Sequence, residues 1–126
     1  MMDSMHIPET VSTPLVDFDA ERRLLIVKGQ SFPEDSFKFY EPVLKWLNGY
    51  VTSDANSQLQ VEFSLTYLNT SSSKCIMLVL DTLEKAHSDG HRVQLKWLCN
   101  EENEFEQECA EEFKEDYTFP FEIALI

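Results

Sequence analysis

Basic residues are scarce in this 126-residue chain: ten Lys and Arg stand against 23 Asp and Glu, leaving a net charge of −13. So anionic a chain repels phosphate backbones and acidic lipid faces, which argues against nucleic-acid and membrane partners. Long hydrophobic runs are missing as well. The longest, Cys75 to Leu80, has six residues, far short of the ~20 that cross a bilayer. Met1 to Pro14 shows neither the basic start nor the apolar stretch of a secretory leader. A soluble, cytoplasmic chain is expected. Cys75, Cys99 and Cys109 are odd in number, lack CxxC spacing and fall inside apolar-periodic segments, so they read as buried thiols and not as a disulfide framework. Glycine is rare too. The stretch YLNTSSSK at 67–74 lacks the glycines with which a Walker loop wraps phosphate, and no serine has the two flanking glycines of a nucleophile elbow. His6 lies near the terminus, while His87 and His91 flank a turn without an obvious third ligand. No metal, cofactor or catalytic centre is expected.

What is present is patterning. Leu15, Val16 and Phe18, a turn at Asp19 and Ala20, and Leu24 to Val27 before Gly29 predict a β-hairpin. Tyr40, Val43, Leu44, Leu47 and Val51 form the stripe of an amphipathic helix, with Ser36 as candidate N-cap. Pro42 inside that stripe calls for a kink or a late start, and Asn48 and Gly49 are expected to loosen the helix end. Leu59, Val61, Phe63 and Leu65 alternate with Gln58, Gln60, Glu62 and Ser64 as a strand does. Ile76, Val79, Leu80, Leu83 and His87 mark a second helix that ends near Asp89 and Gly90. Val93, Leu95, Trp97 and Cys99 alternate again, and Phe119 to Ile126 reads as a last strand.

Between those two strands, Phe105, Cys109 and Phe113 at spacing four, with Ala110 and Tyr117 beside them, predict a third helix with an apolar seam. Its segment, Glu101 to Asp116, carries nine carboxylates and one lysine and reads as a solvated acidic face. The order is ββαβαβαβ. Strands joined through single helices make parallel crossovers, so the fold class is α/β with a mixed β-sheet. One domain over residues 1–126 is expected, with Met1 to Met5 as the candidate for disorder.

The hydroxyl run is the informative feature. Thr70, Ser71, Ser72 and Ser73 stand with Asn69 at a strand-to-helix junction, where only one side-chain oxygen is needed to cap the helix. The surplus points to a second role. A helix N-terminus offers unpaired N–H groups and the positive end of the macrodipole, so it tolerates a phosphate even on an acidic protein. A phosphorylated hydroxyl there would alter docking while hardly moving the backbone. In the helix that follows, Cys75, Met77 and Leu78 extend apolar character beyond the core stripe. That leaves either a partner surface, with Met77 or Leu78 outermost, or cover by another part of the chain.

A strand running into an Asx-hydroxyl-hydroxyl turn at a helix start, within ββαβαβαβ order, resembles the STAS or anti-anti-sigma-factor domain. IPETVSTPLVDF at 7–18, SFPEDSFKFYEPVLKWL at 31–47, YLNTSS at 67–72 and AEEFKEDYTFPFEI at 110–123 are similar to the SiaC-type biofilm-regulating phosphoproteins, in the same order along the chain. The resemblance implies a STAS-like domain that is an adaptor and not an enzyme. Thr70 would be the phosphoacceptor, and Leu68, Asn69, Ser71, Ser72, Lys74, Met77 and Leu78 would form the partner-binding surface. It implies three partners: a protein kinase with an anti-sigma-like ATPase fold, a PP2C-type phosphatase, and a diguanylate cyclase of c-di-GMP signalling that the unphosphorylated form activates. The alternative is an anti-anti-sigma factor that binds an anti-sigma kinase in transcriptional control.

Overall fold

The computed structural model describes residues 4–19, 21–53 and 58–126. Its elements are β1 (Met5–Ile7), β2 (Leu15–Asp19), β3 (Leu24–Ser31), α1 (Ser36–Ser53), β4 (Gln58–Leu68), α2 (Thr70–Ser88), β5 (Arg92–Cys99), α3 (Glu104–Lys114) and β6 (Phe121–Leu125). One six-stranded sheet takes the strands in chain order, with β1, β2 and β3 antiparallel and β3, β4, β5 and β6 parallel. The α/β class and mixed sheet are those expected, with one added strand. β1 has only three residues, too few to show alternation, and it pairs Met5 with Phe18 and Ile7 with Val16. Met5 therefore belongs to the sheet and not to a disordered leader, while residues 1–3 of that leader and Ala20 of the expected turn lie outside the described residues. In the turn, Asp19 Oδ1 accepts from the N–H groups of Glu21 and Arg22, and Arg23 takes a left-handed φ of 54°.

The helices cover one face of the sheet. Leu59, Val61, Phe63 and Leu65 on β4 and Val93, Leu95, Trp97 and Cys99 on β5 are buried beneath them, with Val43 and Leu47 of α1 and Ile76, Val79, Leu80 and Leu83 of α2. The opposite face, with Gln58, Gln60, Gln94 and Lys96, is open to solvent. α1 begins on time and ends late. Asp35 is the residue that caps it, its Oδ1 accepting from Lys38 N–H at 3.0 Å, and this frees the Ser36 hydroxyl for another use. Pro42 sits on the exposed side of an uninterrupted helix. Asn48 and Gly49 do not loosen the end: the Asn48 side chain donates to the Leu44 carbonyl, and the carbonyls of Asn48 and Gly49 accept from the Thr52 hydroxyl.

α3 keeps the expected seam at Cys109, Ala110 and Phe113, with Tyr117 beyond its end, all packed in or against the core, and departs from it at Phe105. Its buried residues are Glu106 and Ala110, whereas Phe105 is 48% exposed. Glu106 is held inward because its Oε2 accepts the Asn100 N–H at 3.0 Å, which supplies the partner that a buried carboxylate requires. Cys75 and Cys99 are buried and Cys109 is half-buried, all as free thiols; burial pushes Cys109 up to about 11.

A second irregularity sits where β3 meets β4. Gly29 pairs with Leu65 and Gln30 with Tyr67, so Thr66 is an extra residue and the ladder bulges. Gly29 has a φ of +124°, a conformation that residues with a side chain rarely adopt. The bulge breaks the alternation of β4: Thr66 and Tyr67 are both exposed before Leu68 turns inward again.

Candidate functional site

The carboxyl ends of β3, β4 and β5 and the amino ends of α1, α2 and α3 form one rim, the place where open parallel sheets collect functional groups. β4 ends at Leu68, and the Asn69 N–H then donates to the Ser31 carbonyl at 3.0 Å, tying the start of α2 to the end of β3. Asn69 is the cap: its Oδ1 accepts from Ser72 N–H at 2.9 Å, and its carbonyl accepts from Ser73 N–H at 3.0 Å. Thr70 and Ser71 are left with backbone N–H groups that find no acceptor among the described residues.

With the cap provided by Asn69, the four hydroxyls separate into two kinds. Ser72 is fully buried, its Oγ lying 2.8 Å from Ser31 Oγ and 3.1 Å from Ser36 Oγ. Ser31 continues to the Tyr40 hydroxyl at 2.8 Å, and Ser36 continues to Ser71 Oγ at 2.7 Å, which also donates to Asn69 Oδ1. This chain of hydroxyls joins the ends of β3, α1 and α2. Burial pushes the Tyr40 phenol up to about 12, against a smaller downward pull from Ser31. The hydroxyls of Thr70 and Ser73 have no partner among the described residues; Thr70 is exposed and Ser73 half-buried.

The residues expected at a partner surface differ in exposure. Lys74, Met77 and Leu78 are exposed, and Asn69 and Ser71 half-buried. Leu68 and Ser72 are buried instead: Leu68 packs in the core, and the Ser72 hydroxyl bonds Ser31 and Ser36. Met77 and Leu78 stay open even though the segment after α3 crosses α2: the Tyr117 hydroxyl donates to the Met77 carbonyl and to Asp81 Oδ1, and Glu84 accepts from the N–H and hydroxyl of Thr118. Those Thr118 bonds hold the Glu84 carboxyl below its ordinary range. Burial and then the Asp81 carboxylate push the Tyr117 phenol up.

Sequence reasoning missed an aromatic strip beside this surface. Phe32 after β3, Tyr67 in the bulge and Phe105 at the start of α3 are 38%, 44% and 48% exposed, with ring centroids 6.0 Å and 6.1 Å apart in that order. Phe105 was expected in the core seam, and Tyr67 would face the core edge but for the extra residue. A glycine inside an alternating strand was the one local sign of a bulge. Ser31, Ser36 and Tyr40 were missed as well, since their partners lie 9 to 41 residues away in the chain. The rim can thus accept a modifying group at a free hydroxyl and offer an apolar surface next to it. Among the described residues no cluster of three His, Cys, Asp or Glu could hold a metal ion, and no helix is long and apolar enough to cross a membrane.

Comparison with known proteins places these features in a family. Residues 7–126 match the family described as SiaC family regulatory phosphoprotein. An uncharacterized protein of Pseudomonas aeruginosa strain UCBPP-PA14 is 42% identical over 122 residues, 97% of this chain and 96% of that protein. The solved structure of SiaC of Pseudomonas aeruginosa superimposes with a TM-score of 0.93 at 38% identity, covering 99% of this chain and 100% of that one. A crystal structure of the diguanylate cyclase SiaD in complex with its activator SiaC, from the same organism, matches with a TM-score of 0.92 at 40% identity, over 97% of this chain and 99% of that one.

Proposed function

Because the chain belongs to the SiaC family of regulatory phosphoproteins, we propose that it is a phosphorylation-switched adaptor acting as one unit in the cytoplasm and not an enzyme. Unphosphorylated, it binds and activates a diguanylate cyclase and so raises c-di-GMP signalling toward biofilm or aggregation. A partner kinase with an anti-sigma-like ATPase fold phosphorylates Thr70 and blocks that binding; a PP2C-type phosphatase restores it. The observation that carries this reading is the sorting of the hydroxyl run: Thr70 alone of the four is exposed, and its hydroxyl has no partner among the described residues.

The physics of the switch follows from its position. A phosphate on Thr70 brings about −1.5 to −2 charges to the first residue of α2, where the Thr70 and Ser71 N–H groups and the helix macrodipole stabilise it. Thr70, Lys74, Met77 and Leu78 share one stripe of α2, at i, i+4, i+7 and i+8. A partner that covers Met77, Leu78 and the Phe32–Tyr67–Phe105 strip would have to desolvate that dianion, so docking is lost without any change of fold.

The test uses the cognate cyclase and kinase. Thr70→Ala should bind the cyclase as the wild type does and take up no phosphate, while phosphorylated protein and Thr70→Glu should bind at least ~10-fold more weakly, about 1.4 kcal/mol. An unchanged phosphate load on Thr70→Ala by intact-mass analysis refutes the site. Recovery of an anti-sigma factor with no cyclase binding identifies instead an anti-anti-sigma factor.

A further inference from the structure

The sheet ends at β6 with a vacant strand position. Among the described residues β6 pairs only with β5. The Leu95 N–H donates to the Pro120 carbonyl and the Ile126 N–H to the Cys99 carbonyl, so the even-numbered residues face β5. By the same alternation, the N–H and C=O groups of Phe121, Ile123 and Leu125 point outward, and no described residue bonds to them. Proteins usually blunt such an edge with proline, a bulge, inward charge or shortness. The opposite edge, β1, is blunted by having three residues, whereas Phe121–Leu125 has five, with no proline and no bulge.

A groove runs along this edge. Ile123 and Leu125 form its apolar floor, Leu125 being 56% exposed, and Gln107, Glu111, Lys114 and Glu115 of α3 and its cap form its wall. No ion pair engages Glu111 or Glu115 among the described residues, whereas Glu122 on the open sheet face already has Lys96 Nζ at 3.8 Å. A second copy pairing through β6 would bring two Glu101–Asp116 segments together, each with nine carboxylates and one lysine, and they would repel. We infer that the β6 edge receives an extended segment of a basic partner protein, added as a seventh strand. Alternate Lys or Arg side chains of that segment lay their aliphatic stems over Ile123 and Leu125 and carry their charged heads to Glu111 and Glu115. The main chain supplies affinity through the outward groups of β6, and charge selects the partner. This surface is independent of Thr70 and of the switch proposed above.

The probe is a fluorescein-labelled ten-residue peptide alternating Lys with Val, titrated by anisotropy at physiological salt against the full chain. Ile123→Pro removes only an outward N–H, which the isolated sheet does not use, so the β5–β6 ladder survives and peptide affinity should fall at least ~10-fold. Leu125→Pro gives the same test at a second position. Glu111→Lys with Glu115→Lys should weaken binding as much, and the wild type should sediment as a monomer without peptide. Equal peptide binding by wild type and both proline variants would show that net charge alone attracts the peptide, and would overturn the proposal. So would self-association of the wild type that Ile123→Pro abolishes, which would make a second copy the occupant.

Discussion

Replacing Ser72 by Ala tests the hydroxyl chain at its centre. The substitution deletes the contacts to Ser31 at 2.8 Å and to Ser36 at 3.1 Å, while Ser31 keeps Tyr40 and Ser36 keeps Ser71. No buried donor is then wholly orphaned, so the loss is that of two buried hydrogen bonds at about 1 kcal/mol each, roughly 2 kcal/mol in all. For a chain of this length that corresponds to a fall in Tm of roughly 6–10 °C. Thr70→Ala, two residues earlier, removes an exposed hydroxyl with no partner and should stay within about 0.5 kcal/mol of wild type. Both are read by urea unfolding followed by circular dichroism, with an unchanged m-value showing that the denatured state is the same. If Ser72→Ala proved as mild as Thr70→Ala, the division of the run into structural and free hydroxyls would be wrong.

Gly29→Ala should cost about 1–3 kcal/mol by forcing a side chain into a conformation that favours glycine, because φ is +124° there and the new Cβ would crowd the Glu9 carboxylate; thermal unfolding measures it. Glu84→Gln should narrow the pH dependence of stability. The Glu84 pKa is lowered on folding from an ordinary 4.5 by its bonds to Thr118, so its contribution is present above that value and is lost as pH falls through the lower folded pKa. Wild type and variant should therefore converge in stability on acidification below the ordinary carboxylate range, and a difference that persists unchanged at acid pH would refute the assignment.

The elements legible in the sequence were those with a long, unambiguous period. β4 and β5 alternate over four apolar positions each, and α2 keeps its stripe from Ile76 to Leu83, so their existence and inward faces could be read directly. Where two local choices competed, tertiary contacts decided. Five side chains could have capped α2, and Asn69 does because it stands at the residue whose N–H the Ser31 carbonyl fixes. Of the seam Phe105, Cys109 and Phe113, the last two pack on the core beside Ala110, but at the first turn Glu106 takes the inward place, bonded to the Asn100 N–H, and Phe105 stays exposed. The junction at 69–73 was recognisable from residue types alone, whereas the roles of Ser31, Ser36 and Tyr40 depended on approaches that only folding creates.

Because neighbours in the sheet are also neighbours in the chain, no strand has to be inserted between two already in place. A chain emerging from the ribosome can lay each new strand against a finished edge, with α1 and α2 closing over β4 before β5 has been made. The advancing border of such an assembly is always its newest strand, and among the described residues that border, β6, is still bare.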